Sequence, residues 1–325
     1  MRVLILGGAG FLGLRLVPLL EALGHEVALS DNFSGSLKYH VPRQYRIFGA
    51  NATDLNAAQH VFSVFRPEVV VVSLSYNAPK DITYKFYEDT RLILESANVL
   101  LPLLHRGIKH LYFCSSGEVY GIPSSRKPIK ETKKIVSSAT HHGAAKLAAE
   151  SMLRFRCTEL GIPFTIIRVF DLFGPRDVFS ARNGVVSFLI DGFLRGETMG
   201  LVGATMPRDF IHVDDAAAAF VGIVESGFTG IVNLGTGKGV TLRELCAAIT
   251  PLIKGAVPPT ELPDGRLVSH PLVADIGLLS ATVTGWAPKL NVIEEVPSLV
   301  EFRLKAAHFD SRKDPVAVLN AMRGV

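Results

Sequence analysis

The stretch "GGAGFLG", residues 7–13, decides the fold. It closes the apolar run "VLILG" (3–7) and opens a helical pattern over 11–23. Between them Gly7, Gly10 and Gly13 make a tight turn, let backbone amides approach a pyrophosphate, and let helix and strand pack closely. The helix N-terminus adds positive potential, with Phe11 and Leu12 in the turn beside the ligand. The next apolar run, "EVALSD" (26–31), ends on Asp31, eighteen residues past Gly13. A carboxylate there can bond both ribose hydroxyls and repels a 2′-phosphate. No Arg or Lys follows at once in "DNFSGS" (31–36). Strand, glycines and acid together therefore predict a site for NAD rather than NADP, with Asn32 alongside. In "GANATD" (49–54), Asn51 is placed at the adenine edge, and Asp54 is expected to cap a helix.

Further along, "YRIFG" (45–49), "EVVVVS" (68–73), "HLYFCSS" (110–116) and "PFTIIRVF" (163–170) are also continuous apolar runs rather than alternating ones. Such runs suit strands of a parallel sheet covered on both faces. Helical patterns lie near 54–66, 87–106 and 142–160, and after about residue 170 near 184–195, 213–226 and 241–254, among Gly- and Pro-rich loops. The prediction is an α/β fold, a doubly wound parallel sheet of Rossmann type over 1–168. A smaller C-terminal substrate-binding lobe covers 169–325, with segments near 205–235 returning to the core.

Composition narrows the function classes. With 48% hydrophobic and 20% charged residues over 325 positions, the chain is a globular protein. A net charge of +4 suits an anionic small molecule and is too mild for nucleic acid. The basic run "RKPIKETKK" (126–134) lacks interleaved aromatics and is expected as a solvated loop. Cys114, Cys157 and Cys246 are far apart and predict reduced thiols rather than a metal or disulfide framework. No apolar stretch approaches the roughly 20 residues that span a bilayer. The evenly spaced glycines argue against a signal peptide, so the expected location is the cytoplasm.

Six motifs occur in order: the spaced glycines, "SSGEVYG" (115–121), "HHGAAKLAAE" (141–150), "RVFDLFGPR" (168–176), "RDFIHVDD" (208–215) and "NLGTG" (233–237). Through them the chain resembles the extended short-chain dehydrogenase/reductases that act on nucleotide sugars: epimerases, 4,6-dehydratases and uronic-acid decarboxylases. The resemblance runs through "TGWAPKL" (284–290). It implies NAD as cofactor, a nucleotide-sugar substrate, a homodimer through helices 87–106 and 142–160, and transient oxidation of the sugar at C4. In that family a tyrosine base is held as phenolate by a lysine four residues on, on the same helix face. Here the lysine is Lys146, which also binds the nicotinamide ribose, and the hydroxyl that helps hold the sugar is Ser116. The tyrosine position is His142.

Three readings of His142 follow. It acts as the base, since an imidazole is mostly neutral at pH 7 and the Lys146 cation disfavours its charged form. Proton transfer has moved elsewhere and His142 only binds. Or the redox step is lost and an NAD- and sugar-binding shell remains. His141, on another helix face, makes no metal site with it without a third ligand. The resemblance also puts Glu118 where 4,6-dehydratases and decarboxylases carry a glutamate, and Gly117 where the dehydratases carry an acid. Glu118 thus extends the chemistry toward C5, or is an ion-paired surface glutamate. Arg208 matches the arginine that grips the diphosphate, and Arg266 is a second phosphate arm. Asp171 stands where an asparagine usually faces the diphosphate, an unfavourable place for a carboxylate unless it is paired. This leaves open a reductase of a non-nucleotide substrate. Asp214 and Asp215 are expected as helix caps, and Trp286 as core packing.

Overall fold

The computed structural model describes residues 1–34, 41–75, 82–123, 125–175, 184–262 and 270–307. Strands and helices alternate along the first half, except that β3 follows β2: β1 (Arg2–Leu6), α1 (Gly13–Ala22), β2 (Glu26–Asp31), β3 (Arg46–Gly49), α2 (Leu55–Phe65), β4 (Val69–Val72), α3 (Ile82–Leu100), β5 (His110–Ser116), α4 (His141–Leu160) and β6 (Phe164–Val169). The runs predicted at 26–31 and 110–116 are β2 and β5 residue for residue. The helix expected over 87–106 instead ends at Leu100. Pro102 follows, and its ring and missing N–H stop the helix in the preceding residues. Asp54 caps α2 as expected, its carboxylate accepting from the amides of Asn56 and Ala57.

The second half contains β7 (Asp171–Phe173), α5 (Val185–Leu194), β8 (Gly200–Val202), β9 (Arg208–His212), α6 (Val213–Ser226), β10 (Gly230–Leu234), β11 (Gly239–Val240), α7 (Leu242–Ile249), β12 (Thr260–Leu262), α8 (Gly277–Thr282) and α9 (Val292–Ala307). The central sheet has seven strands in the order β10-β6-β5-β4-β1-β2-β3, every pair parallel. Both of its faces are covered, which is why its strands are apolar throughout. Val3 and Ile5 pack with Leu16, Leu20 and Phe220 of α1 and α6. Leu4 and Leu6 point the other way, among Phe62, Ile93 and Leu153 of α2, α3 and α4. A separate cluster joins α5, α7 and α9 beside the small sheets β11-β9-β7 and β12-β8.

"RDFIHVDD" and "NLGTG" meet as scaffold. The buried Asp209 carboxylate accepts from Thr236 and Gly237, which tie β9 to the segment after β10, and from the Ala274 amide ahead of α8. Asp214 and Asp215 do not cap α6, a correction to the sequence expectation. The helix begins at Val213, two residues earlier than a cap at Asp214 requires, and His212 caps it by accepting from the Asp214 amide. Asp214 pairs with Arg15 at 2.9 Å, and Asp215 accepts from the Lys289 and Leu290 amides at 2.8 Å. Trp286 packs against the α1/α6 core. The three cysteines are buried and free. Among the described residues no helix is long and apolar enough to cross a membrane.

Beneath the ends of β5 and β6 lies a buried ion pair. Arg168 donates to both oxygens of Glu150, at 3.0 and 2.7 Å, and Ser115 donates to the same carboxylate at 2.5 Å. Glu150→Ala would strand the Arg168 charge, 3% exposed. The expected cost is about 3–5 kcal/mol of unfolding free energy. Urea melts of the two proteins check this, and a loss below about 1 kcal/mol would show that the pair adds little to the core.

Candidate active site

A cleft of about 490 Å³ opens beside the carboxyl ends of β1 and β4, where the strand order reverses and open α/β sheets bind ligands. At one end it is lined by Gly7, Gly10, Phe11, Leu12, Asp31, Asn32 and Asn51. Gly7 has φ +75°, and a Cβ there would lie 2.6 Å from the Ser73 carbonyl oxygen, so only glycine makes this turn. Gly13 stands behind the cleft, against the backbone of Gly8 at the start of α1. The Asp31 carboxylate accepts from the Ala9 amide at 3.1 Å and the Phe33 amide at 2.7 Å. Burial pushes its pKa up, opposed by those two hydrogen bonds. Its oxygens retain acceptor capacity for two ribose hydroxyls. A side-chain-free turn, a helix N-terminus and an acid at the next strand end fit a dinucleotide.

Ser116, Glu118, His142, Lys146, Asp171 and Arg208 line the other end. Arg266 lies outside the described residues. Ser116 caps the short 3-10 turn Gly117–Tyr120, its Oγ accepting from the Glu118 amide at 3.1 Å. Thr140 caps α4 by accepting from the Gly143 amide at 3.0 Å, and donates its own proton to Glu118 Oε2 at 2.5 Å. A Cβ on Gly143 would lie 2.6 Å from the Glu118 carbonyl oxygen, so glycine lets α4 close on that turn.

His142 and Lys146 sit one helical turn apart but have different partners. Lys146 is 3% exposed, and its ammonium donates to the carbonyls of Leu74 at 2.8 Å and Cys114 at 2.7 Å. Burial holds its pKa below the usual lysine value. An ammonium has three donors, so one remains after these two bonds. His142, with 29% of its side chain exposed, places Nδ1 2.6 Å from Asp89 Oδ2. Sequence reading missed Asp89. It lies 53 residues away on α3, in no motif, and only the packing of α3 on α4 brings it there.

The remaining group is a cluster of one guanidinium and two carboxylates. Arg208 is bidentate on Asp171, at 2.6 and 2.8 Å, and lies 3.6 Å from Glu118. Its pKa is raised, chiefly by Asp171. Asp171 is therefore paired, and Arg208 meets any ligand already engaged.

Sheet order, glycine turn and terminal acid define a dinucleotide-binding α/β protein. The model of the NAD dependent epimerase/dehydratase family matches residues 3–235. The chain belongs to that family, and NAD is its cofactor. It is similar to UDP-glucuronic acid decarboxylase 3 of Arabidopsis thaliana, 28% identical over 320 residues that cover 94% of this chain and 90% of the other. In structure it is similar to the UDP-glucose 4-epimerase of Thermotoga maritima solved with UDP-glucose. The TM-score is 0.84 at 27% identity, covering 95% of this chain and 100% of that one. It is also similar to the UDP-glucose 4-epimerase of Thermus thermophilus solved with NAD, with TM-score 0.81 at 29% identity over 93% and 99% of the two chains.

If Asp31 holds the ribose, Asp31→Ala should weaken NAD about 10- to 100-fold, as expected for one charged hydrogen-bonding group. Titration calorimetry measures this, and unchanged affinity would take Asp31 out of the site.

Proposed function

We propose that the protein transiently oxidises a nucleotide sugar at C4, keeping NAD bound, and then completes an epimerisation or a C5-centred step before restoring the cofactor. The supporting observation is that His142 and Ser116 share one cleft with the glycine turn, with Lys146 anchored beside them. NAD supplies the hydride acceptor and later returns the hydride. His142 takes the proton of the sugar hydroxyl, Ser116 holds that hydroxyl, and Lys146 has one N–H left for the nicotinamide ribose. Glu118 stands at the same end of the cleft, where a base toward C5 would direct elimination or inversion there. Without it acting, the reaction is C4 inversion.

The Asp171–Arg208 pair favours a second reading. A guanidinium already neutralised by a carboxylate attracts a diphosphate less, which suits a reductase of a non-nucleotide substrate.

Incubation with UDP-, dTDP- and GDP-sugars, read by mass and NMR, separates the readings. Turnover without added NAD supports the first; no binding of UDP, with net NADH consumption on a non-nucleotide carbonyl substrate instead, supports the second. Binding with neither product nor transient NADH would reduce the protein to a redox-inactive binder. Under the first reading His142→Phe should lower transient NADH formation by about 100-fold or more, the usual worth of a general base. Full activity in that variant would eliminate His142 as the base. We also propose a homodimer through α3 and α4, on whose outer face Phe155 is 67% exposed. Light scattering should give twice the chain mass, and the mass of one chain would refute this.

A further inference from the structure

We infer that Asp89 is the positioning residue of this site: from α3 it holds the His142 ring so that Nδ1 carries the proton and Nε2 is the proton acceptor. This rests on the reading of His142 as the base. An ionised carboxylate only accepts, so a 2.6 Å contact between Asp89 Oδ2 and Nδ1 puts the ring proton on Nδ1. The neutral ring then has its lone pair on Nε2, at the opposite corner. Among the described residues Asp89 is the only hydrogen-bond partner of this ring. His142 lines the cleft whereas Asp89 does not, and Asp89 is 6% exposed behind it. The carboxylate thus lies outside the cleft lining that a ligand would meet, as an orienting group must.

Charge explains why the pair is needed. A phenolate is anionic when ready to act and neutral afterwards, so a nearby lysine favours its working form. An imidazole is neutral when ready and cationic afterwards, and the same lysine opposes its product form. Lys146 remains here, donating to Leu74 and Cys114, so a histidine base requires an anion of its own. Asp89 supplies it. The proton balance closes. The sugar O–H bond breaks, its proton goes to Nε2, and the electron pair left on oxygen completes the C=O bond as hydride leaves the carbon for oxidised NAD. The return step takes the proton back from Nε2.

Nitrogen-15 NMR of histidine-labelled, NAD-bound protein reads the tautomer directly, with the His142 signals assigned by their loss in His142→Phe. The wild type should show the Nδ1–H tautomer. Asp89→Asn, which can donate from its amide, should turn His142 to the Nε2–H form and slow transient NADH formation about 100- to 10,000-fold. Asp89→Glu should keep the wild-type tautomer and recover part of the rate, which a purely structural role for Asp89 would not predict. An Nε2–H tautomer in the wild type overturns the inference even if no Asp89 variant folds. So does a tautomer indifferent to Asp89→Asn. If the tautomer answers to Asp89 while His142→Phe keeps its transient NADH, the positioning is upheld and the base assignment alone falls.

Discussion

The chemical end of the cleft depends on how closely α4 approaches the turn that follows β5. Gly143 lies so near the Glu118 carbonyl that a methyl group there would collide with it. Thr140 joins the two elements by capping α4 and donating to the Glu118 side chain. Ser138 adds a bond to the Glu118 carbonyl at 3.0 Å. These contacts set Ser116, Glu118, His142 and Lys146 in one frame, although they come from two segments more than twenty residues apart. Deeper down, Ser115 and Arg168 converge on Glu150 and fix the same helix to β5 and β6. A side chain on one of these elements cannot shift without moving those on the other, because close-packed interfaces have little slack.

The two ends of the cleft are built differently. The dinucleotide end uses backbone: a turn with positive φ, amides on Asp31, and the start of α1. Such a device tolerates few side chains, and those it tolerates are identified by spacing along the chain. The chemical end uses side chains from β5 and its following turn, α4, β7 and β9, and here charge rather than shape is arranged. Its guanidinium faces two carboxylates, and its ammonium is buried against carbonyls.

That difference explains what could be read from the sequence. The strands were legible because covering both faces of a sheet forces apolar runs, as Val3 to Leu6 show by sending alternate residues to opposite cores. The glycine turn, Asp31 and the Asp54 cap are local devices whose partners lie within a few residues or at the next strand end. Asp89 was illegible because its role exists only across the α3–α4 interface. Pairing of Asp171 with Arg208 spans 37 residues and two strands, so the sequence showed an awkward carboxylate without its partner. Asp214 and Asp215 misled because acids at a helix start have two uses. Because α6 begins at Val213, the cap falls to His212, and both acids lie inside the first turn and make distant bonds instead.

Each departure from the family pattern in this cleft has an oppositely charged or proton-accepting partner. Asp171, unfavourable beside phosphates, is matched by both arms of Arg208. His142, which must become cationic if it takes a proton, is matched by Asp89. A relic that had lost its chemistry would feel no demand for such matching, since an unused cleft is stable with small or apolar side chains. Burying charge at an unused site is costly, and the commoner outcome there is its removal rather than its pairing. On the proposed reading, a carboxylate outside the cleft lining holds that ring and leaves the ligand's space open. This matching of charge supports the proposal of a proton-transfer centre with an altered base over that of an empty binding shell.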